Sequence, residues 1–370
     1  MISRRAPYMD KLLFFPCCYE NISIVRYRAL LTNYELVTAI VPKGRYLSGK
    51  DASAIDGGEH TGFELSDDFE GKVAECDTVL FLEGLSEKYL NSYVKKIEWS
   101  QQLGKRVVIS EDLNHVLESH GYIFDGIQIL TNNHTDHVGY LNRGTTEGIY
   151  PIHVPIVSIL GLGRHCNKFN IQLELGAYFK QTGYKVLQLG TKKMSELFGF
   201  RALPEFLYNN SLSVTDRVLA FNHYVYQLSQ TESPDLIIVG YPGGILPIDD
   251  LHHNDYGTLP FILSNALQTD IGILSLYYNP GLTEAYFKEF QQCCKYRFNI
   301  PVNYFHISNS RYLIDDNNKQ LSFLHLKDTN IKEKISTIPD VNLFNTVHKL
   351  NSEKIYNTIL TELTSNLEFV

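Results

Sequence analysis

This chain predicts an α/β fold built on parallel sheets, and three observations carry that prediction. Short apolar runs of strand length alternate with longer amphipathic runs of helical period. Two such series are separated by residues 126–154, a stretch rich in Gly, Asn, Thr and His. A length of 370 residues suits two cores better than one. The expected division is 1–125, a Rossmann-like α/β domain; 126–154, a connector; and 155–370, a second Rossmann-like domain ending in a helix.

In the first domain, Lys11-Leu12-Leu13-Phe14-Phe15 reads as a buried strand, followed by a helical stretch around Ile24–Leu31. Glu35–Val41 and Thr78–Leu82 are the next strands, Glu87–Leu103 a helix, and Lys105–Ser110 a further strand. Residues 43–71 are polar and Gly-rich and read as a long loop. In the second domain, strands fall near 156–160, 184–189, 235–239, 271–276 and 302–306. Residues 168–181 set Ile171, Leu175 and Phe179 four apart, an apolar stripe facing the sheet. Ser213 with Asp216 is close to a capping box at the head of a long helix. Thr283–Tyr296 is another helix, and Ser352 stands in a capping position for the last one.

Composition narrows the function classes. A formal net charge of −8 without a basic stripe excludes a dedicated nucleic-acid binder. Hydrophobic residues at 44% with 20% charged describe a folded globule, and 24 Tyr and 20 Phe are core and interface material. Cys17, Cys18, Cys76, Cys166, Cys293 and Cys294 show neither a C-x-x-C spacing nor a disulfide framework. No secretory leader is evident, and no apolar run approaches the roughly 20 residues of a membrane span. The expectation is a soluble, reduced, cytoplasmic protein without membrane or nucleic-acid partners.

The most informative segment is Ile156-Val157-Ser158-Ile159-Leu160-Gly161-Leu162-Gly163-Arg164-His165-Cys166-Asn167-Lys168-Phe169. A buried strand enters a Gly-rich turn, a Lys follows, and an amphipathic helix begins. That is the context of a phosphate-binding loop, where glycines let the backbone approach the anion and helix amides point at it. Gly161, Gly163, Arg164, Asn167 and Lys168 are therefore candidate binding residues. In the working motif a Gly precedes the Lys, and a Ser or Thr after it holds magnesium. Asn167 and Phe169 stand there instead. Phenylalanine cannot ligate a hard cation. The spacing resembles the dimer-forming (SIMIBI-like) branch of the P-loop NTPases, which makes a homodimer compatible.

A second motif should place a carboxylate at the end of a buried strand to complete the magnesium shell. In Pro234-Asp235-Leu236-Ile237-Ile238-Val239-Gly240-Tyr241-Pro242-Gly243-Gly244 that place is Gly240, and Asp235 lies at the wrong end. Gly243 and Gly244 read as a ligand-facing turn or as a plain one. With both shell positions replaced, no metal is assigned and ordinary magnesium-dependent ATP hydrolysis is not expected. His134, Asp136 and His137, and the run Asp249–Asp255, hold ligand-type side chains at no mechanistic spacing. Cys166 reads better as a buried thiol than as a reactive one. Glu111-Asp112 suits an acidic helix start. In open α/β sheets ligands bind beyond the C-terminal strand ends. In the second domain that edge gathers Gly161–Lys168, Lys192, Lys193 and Gly240–Gly244; in the first, Pro16–Ile24 and Glu111-Asp112.

The run Gly161–Asn170, then Lys193-Met194-Ser195-Glu196-Leu197-Phe198-Gly199-Phe200, then Gly240–Gly244, resembles one family, with Phe14-Phe15-Pro16 and Ile24–Arg28 in keeping. These are the accessory "peptide maturation system" proteins encoded beside Cys-rich ribosomal peptides. The resemblance implies a role in ribosomal peptide natural-product (RiPP) biosynthesis, next to a precursor peptide, a radical S-adenosylmethionine maturase and an acyl-carrier-related protein. It assigns no catalytic residues.

Two functions follow as expectations. One is an accessory or scaffold protein that binds a peptide or partner enzyme through a degenerate nucleotide-hydrolase fold. The other is a peptide-modifying enzyme that uses a nucleotide or other phosphate-bearing cofactor. Phe169 and Gly240 favour the first, Lys168 and the glycines the second. A weaker third reading is a glutamate-modifying, acetyltransferase-like protein.

Overall fold

The computed structural model describes residues 9–44, 46–130, 148–315 and 317–367. His134, Asp136 and His137 lie outside the described residues. The protein is mixed α/β with two parallel sheets, and it divides into two compact units. Of the described residues, one unit takes those up to Asp56, 60–130 and Glu196–Gly199. The other takes Gly57–Glu59, 148–195 and everything from Phe200 on.

The first unit carries strands β1 (Asp10–Phe15), β2 (Tyr34–Ala39), β3 (Thr78–Phe81), β4 (Arg106–Ser110) and β5 (Gln128–Leu130). All pairs are parallel, in the order β2-β1-β3-β4-β5. Its helices are α1 (Ser23–Arg26), α2 (Ser53–Asp56), α3 (Phe69–Lys72), α4 (Leu90–Gln102) and α5 (Glu111–Ser119). Tyr93 and Ile97 of α4 and Leu113 and Leu117 of α5 pack on Leu13, Val79, Phe81 and Ile109 of the strands. The expected helix at 24–31 is shorter, ending at Arg26 with a 3₁₀ turn at Arg28–Leu30. The sheet also runs past residue 125, because β5 falls inside the stretch read as a connector. Three residues with one fully buried side chain give no periodicity to read.

The second unit is built on β6 (Ile156–Gly161), α6 (Lys168–Gln181), β7 (Val186–Gly190), β8 (Arg201–Ala202), α7 (Val214–Glu232), β9 (Leu236–Gly240), α8 (Thr258–Ala266), β10 (Ile271–Leu276), α9 (Glu284–Phe298) and β11 (Val302–Ile307). The hairpin β12 (Ser310–Ile314) and β13 (Leu321–His325), α10 (Asp328–Ser336), β14 (Asn342–Phe344) and α11 (Ser352–Leu367) complete it. The seven-stranded parallel sheet has the order β14-β11-β10-β6-β9-β7-β8. Its first strand is central, so chain progress reverses direction at β6.

Side chains along β6 alternate between two cores. Ile156 and Leu160 join Phe221, Val225, Ile262 and Phe287 from α7, α8 and α9. Val157 and Ile159 join Ile171, Leu175 and Phe179 of α6 and Ile355 and Ile359 of α11. A strand buried on both sides of the sheet explains why Ile156–Gly161 reads as a continuous apolar run. The α6 stripe read from the sequence is the one that meets the sheet. The helix stops at Gly183, whose φ of +97° is left-handed, and Tyr184 N–H returns to Phe179 O at 3.0 Å. Ser213 caps α7, accepting from Asp216 N–H at 3.1 Å. Ser352 does not cap α11: it is the helix's first residue, and its hydroxyl donates to Asn345 O at 3.0 Å.

Candidate functional site

The site forms where β6 ends at the switch point of the second sheet, the place at which open α/β sheets bind ligands. Backbone conformation is set first. His165 and Asn167 hold φ of +59° and +60°, an uncommon conformation for residues other than glycine, and Lys168 then starts α6. Hydroxyls from the neighbouring strand ends fix the loop carbonyls. Tyr277 Oη donates to Arg164 O at 2.5 Å and Ser308 Oγ to His165 O at 3.1 Å. Ser275 Oγ donates to Cys166 O. Asn167 Oδ1 accepts from Ser308 Oγ at 2.5 Å.

Ser275 is in turn aligned by a buried imidazole. His306 Nδ1 lies 2.9 Å from Ser275 Oγ, and Thr346 N–H donates to His306 Nε2 at 3.1 Å. That geometry assigns a neutral ring with its proton on Nδ1. Burial keeps it neutral, lowering the His306 pKa from 6.5 to about 3. The unfolded ring takes up a proton below about pH 6.5 and the folded ring does not, so stability falls as pH drops through that window. Between pH 7 and 5 the His306 contribution should decline by about 2 kcal/mol, and His306→Gln should lack that share. Denaturant titrations at both pH values, giving the same pH loss for both proteins, would contradict this.

Most of the residues named from the sequence are brought together. The Lys168 ammonium donates to Gly243 O, so the turn after β9 touches the start of α6. Burial depresses the Lys168 pKa from 10.5 to about 8. A Cβ on Gly161 would meet Lys168 Cδ at 2.8 Å, so that glycine makes room for the lysine stem. A Cβ on Gly244 would lie 2.3 Å from Leu162 O, which only a glycine tolerates. Gly163 lies against Tyr277, and Arg164 is exposed. Cys166 is buried inside the loop with its thiol pKa raised by burial, in keeping with a packing role.

The two magnesium-shell positions are filled by packing. Phe169 is 5% exposed, with its ring 5.6 Å from that of Phe200. At Gly240 a Cβ would meet Gln172 Oε1 at 2.3 Å. Gln172, on α6, is itself buried and donates to Leu189 O at 2.9 Å. It occupies the space that an acid at the end of β9 would need. Asp235, at the other end of that strand, accepts from Lys185 N–H at 2.7 Å.

Of the remaining candidates, Asp249 is a turn former, accepting from the backbone amides of Leu251 at 2.9 Å and His252 at 2.7 Å. Glu111 and Asp112 open α5, as the helix-start reading had it. In the first unit, Ser110 Oγ donates to Glu83 Oε2 at 2.6 Å and Asn21 Nδ2 to Glu83 O at 2.9 Å. Among the described residues no group of three or more His, Cys, Asp or Glu is arranged to hold a metal ion. No helix among them is long and apolar enough to cross a membrane.

Sequence reasoning missed the supports Ser275, Tyr277, His306, Ser308 and Gln172, and read Asn254 only as part of the ligand-type run Asp249–Asp255. Asn254 Nδ2 donates to Leu162 O and to Leu246 O, both at 2.8 Å, tying the loop to the segment after β9. It heads a left-handed stretch with φ of +47°, +48°, +52° and +73° from Asn254 to Gly257. A Gly at its end was the only signal.

No family model matches the chain, and no curated protein does. Among solved structures it is similar to a DUF1611 family protein from Anabaena variabilis, with a TM-score of 0.57 and 14% identity. That match covers 91% of this chain and 94% of the other, and it shows a shared fold. Two matches are too distant to carry an argument. The ATP complex of a Cyanothece McdA variant has a TM-score of 0.32 and 12% identity over 56% of this chain and 88% of that one. Cobyrinic acid a,c-diamide synthase from Mycobacterium smegmatis, with bound ADP and magnesium, has a TM-score of 0.32 and 9% identity over 58% and 96%.

Proposed function

We propose that this chain is an accessory protein of ribosomal peptide maturation, whose second unit keeps a phosphate-binding loop for recognition and has given up nucleotide hydrolysis. In this reading both units are Rossmann-like and the second is a degenerate P-loop NTPase-like domain of the SIMIBI type. The observation that carries it is the filling of both metal-shell positions, by Phe169 against Phe200 and by Gln172 over Gly240, while Lys168 stays at the loop. Loss of metal chemistry with retention of the anion cradle suits a binder of a peptide, a partner enzyme or a phosphate-bearing ligand. The resemblance supplies the setting: a precursor peptide, a radical S-adenosylmethionine maturase and an acyl-carrier-related protein, in the cytoplasm.

A second reading is favoured by Lys168. A cation whose charge is costly to keep buried is retained most readily where an anion arrives. On that reading a nucleotide or another phosphate-bearing cofactor drives a modification of the peptide.

The test is calorimetry with ATP, GTP and acyl-CoA, with and without magnesium, on wild type and Lys168→Ala, beside pull-down of the precursor peptide. The first reading expects peptide or partner capture and no steady-state ATP turnover. Turnover on the usual enzyme scale of about 1–10³ s⁻¹, lost with EDTA and with Lys168→Ala, would overturn it.

A further inference from the structure

In the first unit, Tyr93 and Ile97 of α4 turn to the sheet, and another side of the same helix faces water. Lys88, in the 3₁₀ turn Glu87–Tyr89, is followed by Ser92, Lys95, Trp99 and Gln102 at steps of four or three, so these residues share that side. The side is hollow. A depression of about 380 Å³, within the size range of ligand sites, is walled by Lys88, Lys95, Lys96 and Trp99, and by Phe69 and Glu70 of α3. A second, of about 390 Å³, shares Glu70, Lys95 and Trp99 with the first and adds Glu98 and Gln102. The shared walls make one trough. The helix beneath it runs for about 18 Å, the length of about five residues of extended chain.

Charge is unequal along the trough. Three ammonium groups, from Lys88, Lys95 and Lys96, meet one carboxylate at the first hollow, that of Glu70, which also lies 4.0 Å from Lys43 Nζ. Lys88 and Lys95 join no ion pair among the described residues. The second hollow sets Glu70 and Glu98 against Lys95 alone. In a chain of formal net charge −8, the Lys88 end is a local positive field that attracts an anion. Lys96 is held in place: it donates to Ser92 Oγ at 2.9 Å, and its ammonium lies 4.9 Å from the ring centroid of Phe15 and 5.5 Å from that of Phe69. The Lys88 ammonium rests 5.2 Å from the Tyr89 ring centroid. An ammonium has three donors, so both partnered lysines retain some for a carboxylate.

Trp99 lines both hollows, is 42% exposed, and is the single Trp of the chain. An indole left half in water beside cations has the character of an interface anchor, an apolar body with low entropy to lose. A small acid or a mononucleotide would fill one hollow and leave the other empty, whereas an extended chain uses both.

We propose that this trough docks an extended acidic peptide segment, its carboxylates at the Lys88, Lys95 and Lys96 end and an apolar side chain on Trp99. The inference rests on the reading that the protein binds a peptide, and it adds where the peptide lies and what its sequence must offer.

The experiment pans a library of random heptapeptides against the full chain, with the charge-reversed Lys88→Glu/Lys95→Glu protein as the subtraction target. Enriched peptides are then synthesised and titrated, with Trp99 emission as a readout that no other Trp can contribute to. Enriched sequences should carry Asp or Glu beside an aromatic or large aliphatic residue and should shift that emission. Their affinity should fall at least tenfold in Lys88→Glu/Lys95→Glu and, by calorimetry, in Trp99→Ala, and it should weaken as salt rises. Melting curves identify any variant that loses affinity through misfolding. Enrichment of peptides without acidic residues, or affinity unchanged in the folded variants, overturns the proposal. So does failure of wild type to enrich any peptide over the charge-reversed protein. The pull-down of the precursor peptide decides the peptide reading separately, since capture there with no effect of the trough variants leaves that reading standing and removes this site.

Discussion

Gly240→Asp, which places an acid where a metal-using phosphate loop carries one, is expected to destabilise the protein by about 3 kcal/mol and to create no magnesium dependence. The cause is steric before it is electrostatic. The new Cβ would arrive 2.3 Å from Gln172 Oε1, and Gln172 is held by its bond to Leu189 O. The carboxylate would then sit in a buried space without a partner, the costlier half of the change. Denaturant titration gives the measurement, and the double variant Gln172→Ala/Gly240→Asp should regain at least half of the loss. A single variant as stable as wild type would refute the packing account of this position.

Lys168→Glu is expected to reduce the affinity for a phosphate-bearing ligand by about 100-fold, since it swaps a charge-assisted donor for a repelling carboxylate. The pH dependence follows from the same group. Burial lowers the Lys168 pKa to about 8, so its charge, and with it the affinity, declines as pH rises through that value. For folding the sign is opposite. The half-buried charge opposes the native state below about pH 8, and stability from this group rises between there and 10.5, its ordinary value. Lys168→Met should therefore melt no lower than wild type at pH 7 while losing ligand affinity. Titrations with pyrophosphate at pH 7 and pH 9.5 test the first half and thermal melts the second. Affinity equal at both pH values would exclude Lys168 from the contact.

The strands and helices that carry the sheets were legible because burial on both sides leaves unbroken apolar runs such as Ile156–Leu160, and because α6 repeats an apolar residue every fourth position. β8, β14 and the β12–β13 hairpin were not, being short or half-exposed. The loop was legible through Gly161, Gly163 and Lys168, whose spacing after a buried strand repeats that of a phosphate-binding loop. Its supports were not. Ser275, Tyr277 and Ser308 are ordinary residues at strand ends, and only the order of strands around β6 brings their hydroxyls to the loop. The same holds for Gln172, whose role exists because Gly240 lies across from it.

Those three hydroxyls bear on the thermodynamics of recognition. A glycine-rich loop left to itself must give up backbone freedom of about 1–2 kcal/mol per residue when a ligand orders it. Here the carbonyls of Arg164, His165 and Cys166 are already tied to the sheet, so that entropy is surrendered during folding. Ligand capture would then resemble filling a rigid mould, with little loop rearrangement and association limited by encounter and charge.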